Sequence, residues 1–463
     1  MKRRFSYLQQ PPGFYKRVFL LALPVVLQNL ITTSLGFMDT FMVGLLGSEE
    51  MSAVTVANTP IFIMQLLLFG LQSGSGVLIS QYWGKNDRAS ISRVLGIGLY
   101  AALGIASVFA LLTLFAPARI LALITDNPRL IELAAPYLRI VGISYLFDAL
   151  ASIYVGMQRS TENPLFGMAV FMTSTAVNTL GNYILIFGKL GAPALGIVGA
   201  ATATLTARAL ELVICGVYLL RDKRLPPVLR CVLCPGRAML RAFIKYSTPV
   251  LANETLWGLG TSMFTVIMGH MRISTDIIAA YTVAGAIDRI IVAGVFGLAA
   301  AAGVIIGKEV GSGNRTGVQD IGRALCFVAL CLGVMIGGME QLLYWAALRP
   351  ALLPLFHLSP LAARLCSTLM CCYSAMAPVM AFATVVIVGV LRAGGDVRAS
   401  LLIDLIPLWC VTIPLSALTA LVLDAPAVVV CMAMTSEAAF KLAPGLLRLH
   451  SGRWIHDVTT ARE

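Results

Sequence analysis

Apolar runs of roughly 20 residues, long enough to cross the hydrocarbon core of a bilayer, recur about a dozen times along this chain of 463 residues. A soluble core stops growing well before this length, and 58% hydrophobic against 12% charged residues exceeds what such a core needs. The sequence therefore predicts an all-α membrane protein with about twelve transmembrane helices. The expected spans are residues 17–39, 52–80, 93–116, 132–157, 165–188, 195–220, 242–270, 277–307, 321–346, 363–391, 399–422 and 426–449.

The net charge of +12 is explained by the membrane topology and does not indicate a nucleic-acid-binding surface. These spans place 25 of the 34 Lys and Arg residues on one side of the bilayer and six on the other. Because basic loops stay in the cytoplasm, both termini are predicted to lie inside, and no nucleic acid is expected as a partner. No Ala-x-Ala cleavage site follows the first apolar run, so we interpret that run as a span and not as a removed signal peptide.

Two stretches more than two hundred residues apart repeat each other. Each is an apolar helix that runs into a polar, glycine-containing loop. Under a shift of 227, three glycines of the first stretch coincide with three of the second: Gly70 with Gly297, Gly76 with Gly303, and Gly84 with Gly311. Two similar halves that can rock about a site between them are typical of transporters.

The basic segment 221–241 is the longest polar break and separates the two copies. Six spans is an even number, so the second copy enters the bilayer in the same orientation as the first. We therefore expect two six-helix bundles related by a parallel internal repeat. The expected organisation is a cytoplasmic tail (1–16), an N-terminal lobe (17–220), a linker (221–241), a C-terminal lobe (242–449) and a second cytoplasmic tail (450–463).

Two acidic residues stand out because an ionisable side chain in hydrocarbon costs roughly 3 kcal/mol or more and normally faces a cavity or a partner. Asp39 ends the first span, and Glu254 lies in the seventh. A carboxyl group in such a place can take up a proton or hold a cation such as Na⁺. The alternatives are a solvated carboxylate at the outer interface for Asp39 and an ion pair with Lys245 or Arg241 for Glu254.

Polar residues of the fifth and sixth spans are candidate neighbours of Asp39. Asn178 and Asn182 are spaced i, i+4 and share one helix face, where their amide oxygens could act as hard ligands with Asp39. Thr202 and Thr204 could add hydroxyl groups. The alternative is ordinary hydrogen bonding between membrane helices.

Other charged and aromatic residues in apolar context divide into two groups. Trp257 lies three residues after Glu254 on the same helix face and is a candidate to line a cavity for an apolar or cationic ligand. Internal ion pairs, rather than substrate contacts, are expected for Asp288 with the adjacent Arg289, for Arg208 with Glu211, and around Asp148 and Asp404.

The sequence offers little for catalysis or cofactor binding. It contains no GxxxxGK[ST], HExxH or GxSxG motif, which argues against ATP-driven transport and against a membrane-embedded enzyme. The single CxxC, Cys231 to Cys234, lacks a second pair or a nearby His and does not predict a zinc site. We expect no cofactor beyond a coupling ion.

The chain resembles the multidrug and toxic compound extrusion (MATE) transporters over nearly its whole length, from about Tyr15 to Arg448. The anchors of the resemblance are Leu23-Pro24, Asp39-Thr-Phe-Met-Val-Gly44, Gln81-Tyr-Trp-Gly84-Lys-Asn-Asp87, Asn178, Gly196-Ile-Val-Gly199-Ala-Ala, Gly307 to Gly311, and Leu391-Arg392-Ala-Gly-Gly395-Asp396. Each anchor is short, but their order and spacing together are specific.

The resemblance implies a V-shaped pair of bundles that exports organic cations or drugs in exchange for H⁺ or Na⁺. It also implies that Asp39 is a coupling residue and that Asn178 is the amide that accompanies it. Asn182 stands where relatives often carry Asp. Glu254 is similar to the seventh-helix acid of the Na⁺-coupled branch, whereas the tenth-helix acid of that branch would fall at Ala381.

The acid missing from Ala381 has a possible substitute in the first half. Asp148 occupies the equivalent position there, so it is included among the candidate substrate-binding residues with Glu254 and Trp257. The ion-coupling candidates are Asp39, Asn178, Asn182, Thr202 and Glu254, and Asp39 with Asn178 would hold Na⁺. The choice between H⁺ and Na⁺ stays open.

The function expected from these observations is secondary-active antiport in the inner membrane by a monomer, with a small organic, cationic substrate and the lipid bilayer as partners. A lipid-linked saccharide flippase shares the two-bundle architecture, but it should show a basic central cavity for pyrophosphate. A receptor or scaffold that does not transport would not need acids in both halves.

Overall fold

The computed structural model describes residues 8–226, 228–349 and 358–460, and these residues form mainly long helices. The helices of the first half are α1 (Phe14–Gly44), α2 (Ser48–Ala57), α3 (Thr59–Gly84), α4 (Arg88–Phe115), α5 (Pro117–Ala122), α6 (Pro128–Ser160), α7 (Pro164–Phe187) and α8 (Ile197–Arg221).

The helices of the second half are α9 (Leu229–Leu233), α10 (Arg237–Gly269), α11 (Ser274–Gly311), α12 (Arg315–Leu343), α13 (Pro360–Thr384), α14 (Val397–Ile406), α15 (Ile413–Ala417), α16 (Ala427–Thr435) and α17 (Glu437–Ser451). π-Helical turns continue α12 (Tyr344–Leu348) and α13 (Val385–Leu391), and two more flank α15 (Pro407–Thr412 and Leu418–Val422).

Eleven helical spans within the described ranges are long and apolar enough to cross a bilayer. This finding confirms the predicted all-α membrane protein. The seventh expected span is α10, which has 33 residues but is not among the eleven. It carries Asn253 and Glu254 near its middle, and these polar residues lower its hydropathy.

The duplicated loops adopt the same backbone conformation. α3 ends at Gly84 and α11 at Gly311. Two residues after each end the chain has a positive φ, 56° at Asn86 and 86° at Gly313. Asn and Gly are the residues that most readily adopt this left-handed conformation, so the sequence repeat is also a repeat of local structure.

The next residue of each loop caps the following helix. The side chain of Asp87 accepts a hydrogen bond from the Ser90 backbone N–H at 3.0 Å, and that of Asn314 accepts one from the Gly317 N–H at 3.2 Å. These bonds satisfy N–H groups that a helix start otherwise leaves unpaired. α4 and α12 therefore begin at equivalent points of the two copies.

The chain divides into two compact units, the N-terminal unit (Leu27–Leu251) and the C-terminal unit (Met1–Val26 with Ala252–Glu463). Both boundaries fall inside helices, in α1 shortly after Pro24 and in α10 shortly after Pro249. Hydropathy marks where a chain leaves the bilayer, not which helices pack together. The lobe limits of 17–220 and 242–449 stay predictions.

Small residues bring α7 and α8 together within the N-terminal unit. A Cβ atom added at Gly181 of α7 would lie 3.0 Å from the Cβ of Ala203 in α8, and one at Gly199 would lie 2.5 Å from the Leu185 carbonyl oxygen. Such residues let membrane helices approach closely. The polar residues near Gly181 on α7 are thereby placed beside α8.

In the C-terminal unit α12 packs against α13 through glycine. A Cβ added at Gly337 would lie 2.5 Å from the Ser374 carbonyl oxygen, whereas one at Gly338 would meet nothing within 4 Å. The Ser374 hydroxyl also donates a hydrogen bond to the Gly337 carbonyl at 2.7 Å. The two helices are therefore in backbone contact at Gly337.

We expect Gly337→Ala to destabilise the protein by about 1–3 kcal/mol, because the added methyl group overpacks this contact. Gly338→Ala is the matched control and should be neutral or stabilising by up to about 1 kcal/mol, since Ala is the better helix former. Thermal unfolding of both variants in the same detergent measures the difference. Equal Tm values for the two variants would contradict the close packing.

Candidate functional site

A group of polar residues surrounds Asp39 within the N-terminal unit. The Asn182 amide donates hydrogen bonds to Oδ1 of Asp39 at 2.6 Å and to Oδ1 of Asn178 at 3.1 Å. The Asn178 amide donates in turn to the Thr204 hydroxyl oxygen at 3.2 Å. These four residues, from α1, α7 and α8, are called the Asp39 cluster below.

The Asp39 cluster contains a buried acceptor oxygen that lacks a donor among the described residues. Asn182 is 1% exposed, and its Oδ1 atom has no hydrogen-bond partner among the described residues. Asp39 is half-buried and forms no salt bridge with any described base. Buried acceptors are normally paired, so a negative charge beside a free carbonyl oxygen suits a proton or a hard cation.

Thr204, rather than Thr202, contributes a hydroxyl group to this cluster. The Thr202 hydroxyl donates to the Val198 carbonyl of its own helix at 2.8 Å. Residues two apart on a helix project about 200° from each other, so only one of the two can face α7. The sequence could not tell which one, because the rotation of α8 depends on its packing.

A second acidic group lies in the same unit, around Arg208. Its guanidinium contacts Glu211 at 2.8 Å and Asp148 at 3.3 Å. The predicted Arg208–Glu211 pair is confirmed, and Asp148 also bonds to this arginine. Two carboxyl groups thus contact one arginine, which leaves this group of residues with an excess of acid, and Asp39 forms no salt bridge with Arg208.

The C-terminal unit has a buried ionic network centred on Arg392, which is 2% exposed. Arg392 forms a salt bridge with Glu254 through Nη1, and its Nη2 lies 3.7 Å from Asp404 Oδ2. Its Nε donates to the Ser400 hydroxyl at 3.3 Å. Glu254 is therefore paired with a base from the far end of the sequence, not with Lys245 or Arg241.

Asp404 links this arginine to α17. Lys441 Nζ lies 2.5 Å from Asp404 Oδ1 and also bonds to Glu437. The Asn253 amide donates to Asp404 Oδ2 at 2.6 Å, and its own Oδ1 is buried without a partner among the described residues. The internal pairing expected for Asp404 is confirmed, and every acid of this network contacts a base.

Trp257 contacts apolar residues rather than the residues of the Arg392 network. Its side chain is partly buried and packs against an apolar cluster that includes Phe264, Met268 and Leu408. Asp288 and Arg289, expected to pair, form no salt bridge within the described ranges. Adjacent residues on a helix do not face each other, so these two residues do not form a direct salt bridge.

Comparison with known proteins identifies the family. A family model described as MatE matches residues 24–184 and 249–418, more than two thirds of the chain. The chain belongs to the MATE family. It is accordingly a multi-pass membrane transporter and not an enzyme.

This MATE protein is similar along most of its length to bacterial transporters. It is 25% identical over 416 residues to the uncharacterized transporter YisQ of Bacillus subtilis, covering 89% of each chain. It is 26% identical over 409 residues to the multidrug resistance protein MdtK of Edwardsiella ictaluri, covering 87% of this chain and 86% of MdtK.

Solved structures share the fold of this MATE protein at low sequence identity. The crystal structure of MATE in complex with MaL6 has a TM-score of 0.84 and 18% identity, with 98% of this chain and 100% of that chain covered. A mutant of the Vibrio cholerae MATE transporter VcmN has a TM-score of 0.83 and 17% identity, with 96% and 98% covered. These matches confirm the predicted fold class.

The structure also shows a buried acid that sequence reasoning missed. Glu340 in α12 is 1% exposed, and neither of its carboxyl oxygens has a hydrogen-bond partner in the described part of the chain. The signal was available, because Glu340 is an acidic residue inside the expected span 321–346. Its lack of a partner could be found only from the packing.

Proposed function

We propose that this MATE protein is a secondary-active antiporter that exports organic cations, drugs or toxic metabolites across the cytoplasmic membrane. Uptake of H⁺ or Na⁺ would drive the export through alternating access between two lobes. Relatives that bear the name of multidrug resistance proteins support the substrate class. The coupling residues we assign are Asp39, Asn178, Asn182, Glu254 and, in place of Thr202, Thr204, whose hydroxyl lies in the Asp39 cluster.

The observation that carries this proposal is the Asp39 cluster. A carboxylate without a bonded base lies beside a buried carbonyl oxygen without a donor. Binding of a proton to Asp39 would neutralise its charge and supply a hydrogen-bond donor. Binding of Na⁺ would use the oxygens of Asp39, Asn182 and Asn178, which are the hard ligands that this ion prefers.

Glu254 contributes to coupling in a different way, because its carboxylate is already bonded to Arg392. A proton or cation can bind Glu254 only by competing with this arginine. We infer that Glu254 exchanges partners during the cycle, with Ser400 and Asp404 retaining Arg392 when Glu254 leaves it.

The substrate-binding assignments remain Glu254, Trp257 and Asp148. Carboxylates and the indole face of a tryptophan are groups that attract organic cations. Asp148 is bonded to Arg208, so a cationic substrate at Asp148 would have to draw it away from that arginine.

We further propose that the protein acts as a monomer, with both termini in the cytoplasm. The strong excess of Lys and Arg on one side of the expected spans supports this orientation.

A lipid-linked saccharide flippase is less well supported. Its pyrophosphate group would require basic residues, whereas Arg208 is surrounded by carboxyl groups and Arg392 is bonded to Glu254. Neither arginine is free to bind a phosphate.

Transport assays in proteoliposomes test the proposal. The purified protein is reconstituted with a fluorescent lipophilic cation, and dye movement is followed under an imposed H⁺ gradient, an imposed Na⁺ gradient, both, or neither. We expect transport against the dye gradient with at least one of the two ions. Equal dye movement in all four conditions would overturn ion-coupled antiport.

A further inference from the structure

Glu340 lies where three helices of the C-terminal unit meet. One turn before it on α12, Ile336 belongs to a buried apolar cluster with Val292 and Val295 of α11 and Ala377 and Ala381 of α13. Side chains one turn apart lie on the same helix face. The Glu340 side chain therefore lies next to this apolar cluster, on the face of α12 that packs against α11 and α13.

The residues on either side of Glu340 hold α12 against α13. Gly337 is in backbone contact with Ser374, and the Gln341 amide donates to the Met370 carbonyl at 3.4 Å. These contacts leave Glu340 1% exposed. An ionised carboxylate at this position would have neither water nor a hydrogen-bond donor, which is a costly arrangement.

The charged residue placed nearest to Glu340 by the packing of α11 is another acid. Asp288 is half-buried and lies one turn before Val292, the α11 residue that shares the apolar cluster with Ile336. No described Lys, Arg or His forms a salt bridge with either acid. Arg289, the residue after Asp288, is exposed.

Other titratable groups lie on the neighbouring elements. α11 contributes Tyr281, and α13 contributes Tyr373, three cysteines and Arg364, which is exposed. The turn after α12 contributes Tyr344, whose hydroxyl bonds to Ser367. The π-helical turn Val385–Leu391 carries no titratable side chain. On α17, Lys441 is bonded to Asp404 and Glu437.

The contrast with the other buried acids of this unit is informative. Glu254 and Asp404 are each bonded to a base and can remain ionised. Glu340 has no base, and its charged neighbour has the same sign. A proton is the smallest ligand that removes this cost, because it neutralises the carboxylate without needing further space.

We propose that Glu340 and Asp288 form a proton-binding site in the C-terminal unit, separate from the Asp39 cluster, with Glu340 as the residue that holds the proton. The proton adds to a carboxylate oxygen of Glu340 and leaves from it to water. The use of this site in the transport cycle rests on the proposed antiport, but the binding of the proton does not.

Infrared difference spectroscopy of the reconstituted protein during a pH titration tests the site directly. A protonated carboxyl group gives a carbonyl stretching band that disappears when the proton leaves. We expect this band in the unaltered protein and its loss in Glu340→Gln, which keeps the size of the side chain. Asp288→Asn should change the pH at which the band disappears, whereas Asp39→Asn should leave this band in place.

The same variants separate this proposal from the antiport function. If no ion drives transport but the Glu340 band titrates, proton binding stands and the antiport proposal fails. A band that persists unchanged in Glu340→Gln overturns the site. In an ion-coupled transporter, Glu340→Gln should also reduce the number of protons taken up per dye exported, and an unchanged number overturns its use in the cycle.

Discussion

Replacing Asp39 with Asn is expected to slow ion-driven efflux by about tenfold or more while the fold remains intact. Asn has nearly the same shape as Asp and can still accept the hydrogen bond from Asn182. It carries no charge, so it can neither take up a proton near neutral pH nor neutralise Na⁺. A hydrogen bond to a charged group contributes about 1.5–3 kcal/mol, and each 1.4 kcal/mol is about tenfold in affinity. We therefore expect the initial rate of gradient-driven dye transport to fall by about tenfold or more.

A matched control and a second assay make this prediction specific. Asp126→Asn changes an exposed acid of the same unit and should leave the rate unaltered. Exchange of labelled for unlabelled dye without an ion gradient should persist in Asp39→Asn, because this exchange does not require ion binding. Gradient-driven efflux at the rate of the unaltered protein in Asp39→Asn would remove Asp39 from the coupling site.

The parts of the fold that follow from local chemistry could be predicted from the sequence. The loops after Gly84 and Gly311 have matching conformations because glycine, asparagine and a capping carboxyl or amide act within a few residues. The spans follow from hydropathy in the same way, because a lipid environment requires nearly every backbone group to be bonded within its helix. Neither feature depends on how the helices pack.

The partners of the buried charges could not be predicted, because they lie far apart in the sequence. The pair of Glu254 with Arg392 joins residues 138 positions apart, and that of Asn253 with Asp404 joins residues 151 positions apart. Hydropathy shows that Glu254 is in a span but not which helix it faces. Sequence alone therefore favoured nearby bases for Glu254, and only the packing shows that Arg392, the residue that follows the tenth expected span, bonds to it.

The repeat relates the backbones of the two halves but not their ionic groups. Arg159 and Arg392 occupy equivalent positions at the ends of the fourth and tenth expected spans. Arg159 bonds to the neutral Gln72, whereas Arg392 bonds to Glu254. The same helical frame thus holds an arginine with a neutral partner in one unit and with a carboxylate in the other.

Arg392→Gln is expected to have the largest effect on stability. Removing this guanidinium leaves the Glu254 carboxylate buried and without its base. It also removes one of the two bases near Asp404. Breaking a buried ion pair on one side typically costs about 3–5 kcal/mol. We expect a clear decrease in the Tm of the variant in detergent, together with faster hydrogen exchange in α10 and α14.

The control for this variant is Arg398→Gln, which removes an exposed arginine six positions later. A surface substitution of this kind should change stability by no more than about 0.5 kcal/mol. The double variant Glu254→Gln with Arg392→Gln should recover much of the lost stability, because no unpaired charge then remains at Glu254, while Asp404 keeps its bond to Lys441. If Arg392→Gln is no more destabilising than Arg398→Gln, Arg392 does not hold the network together. If the double variant is as unstable as Arg392→Gln alone, the cost arises from lost packing of the arginine and not from the stranded carboxylate.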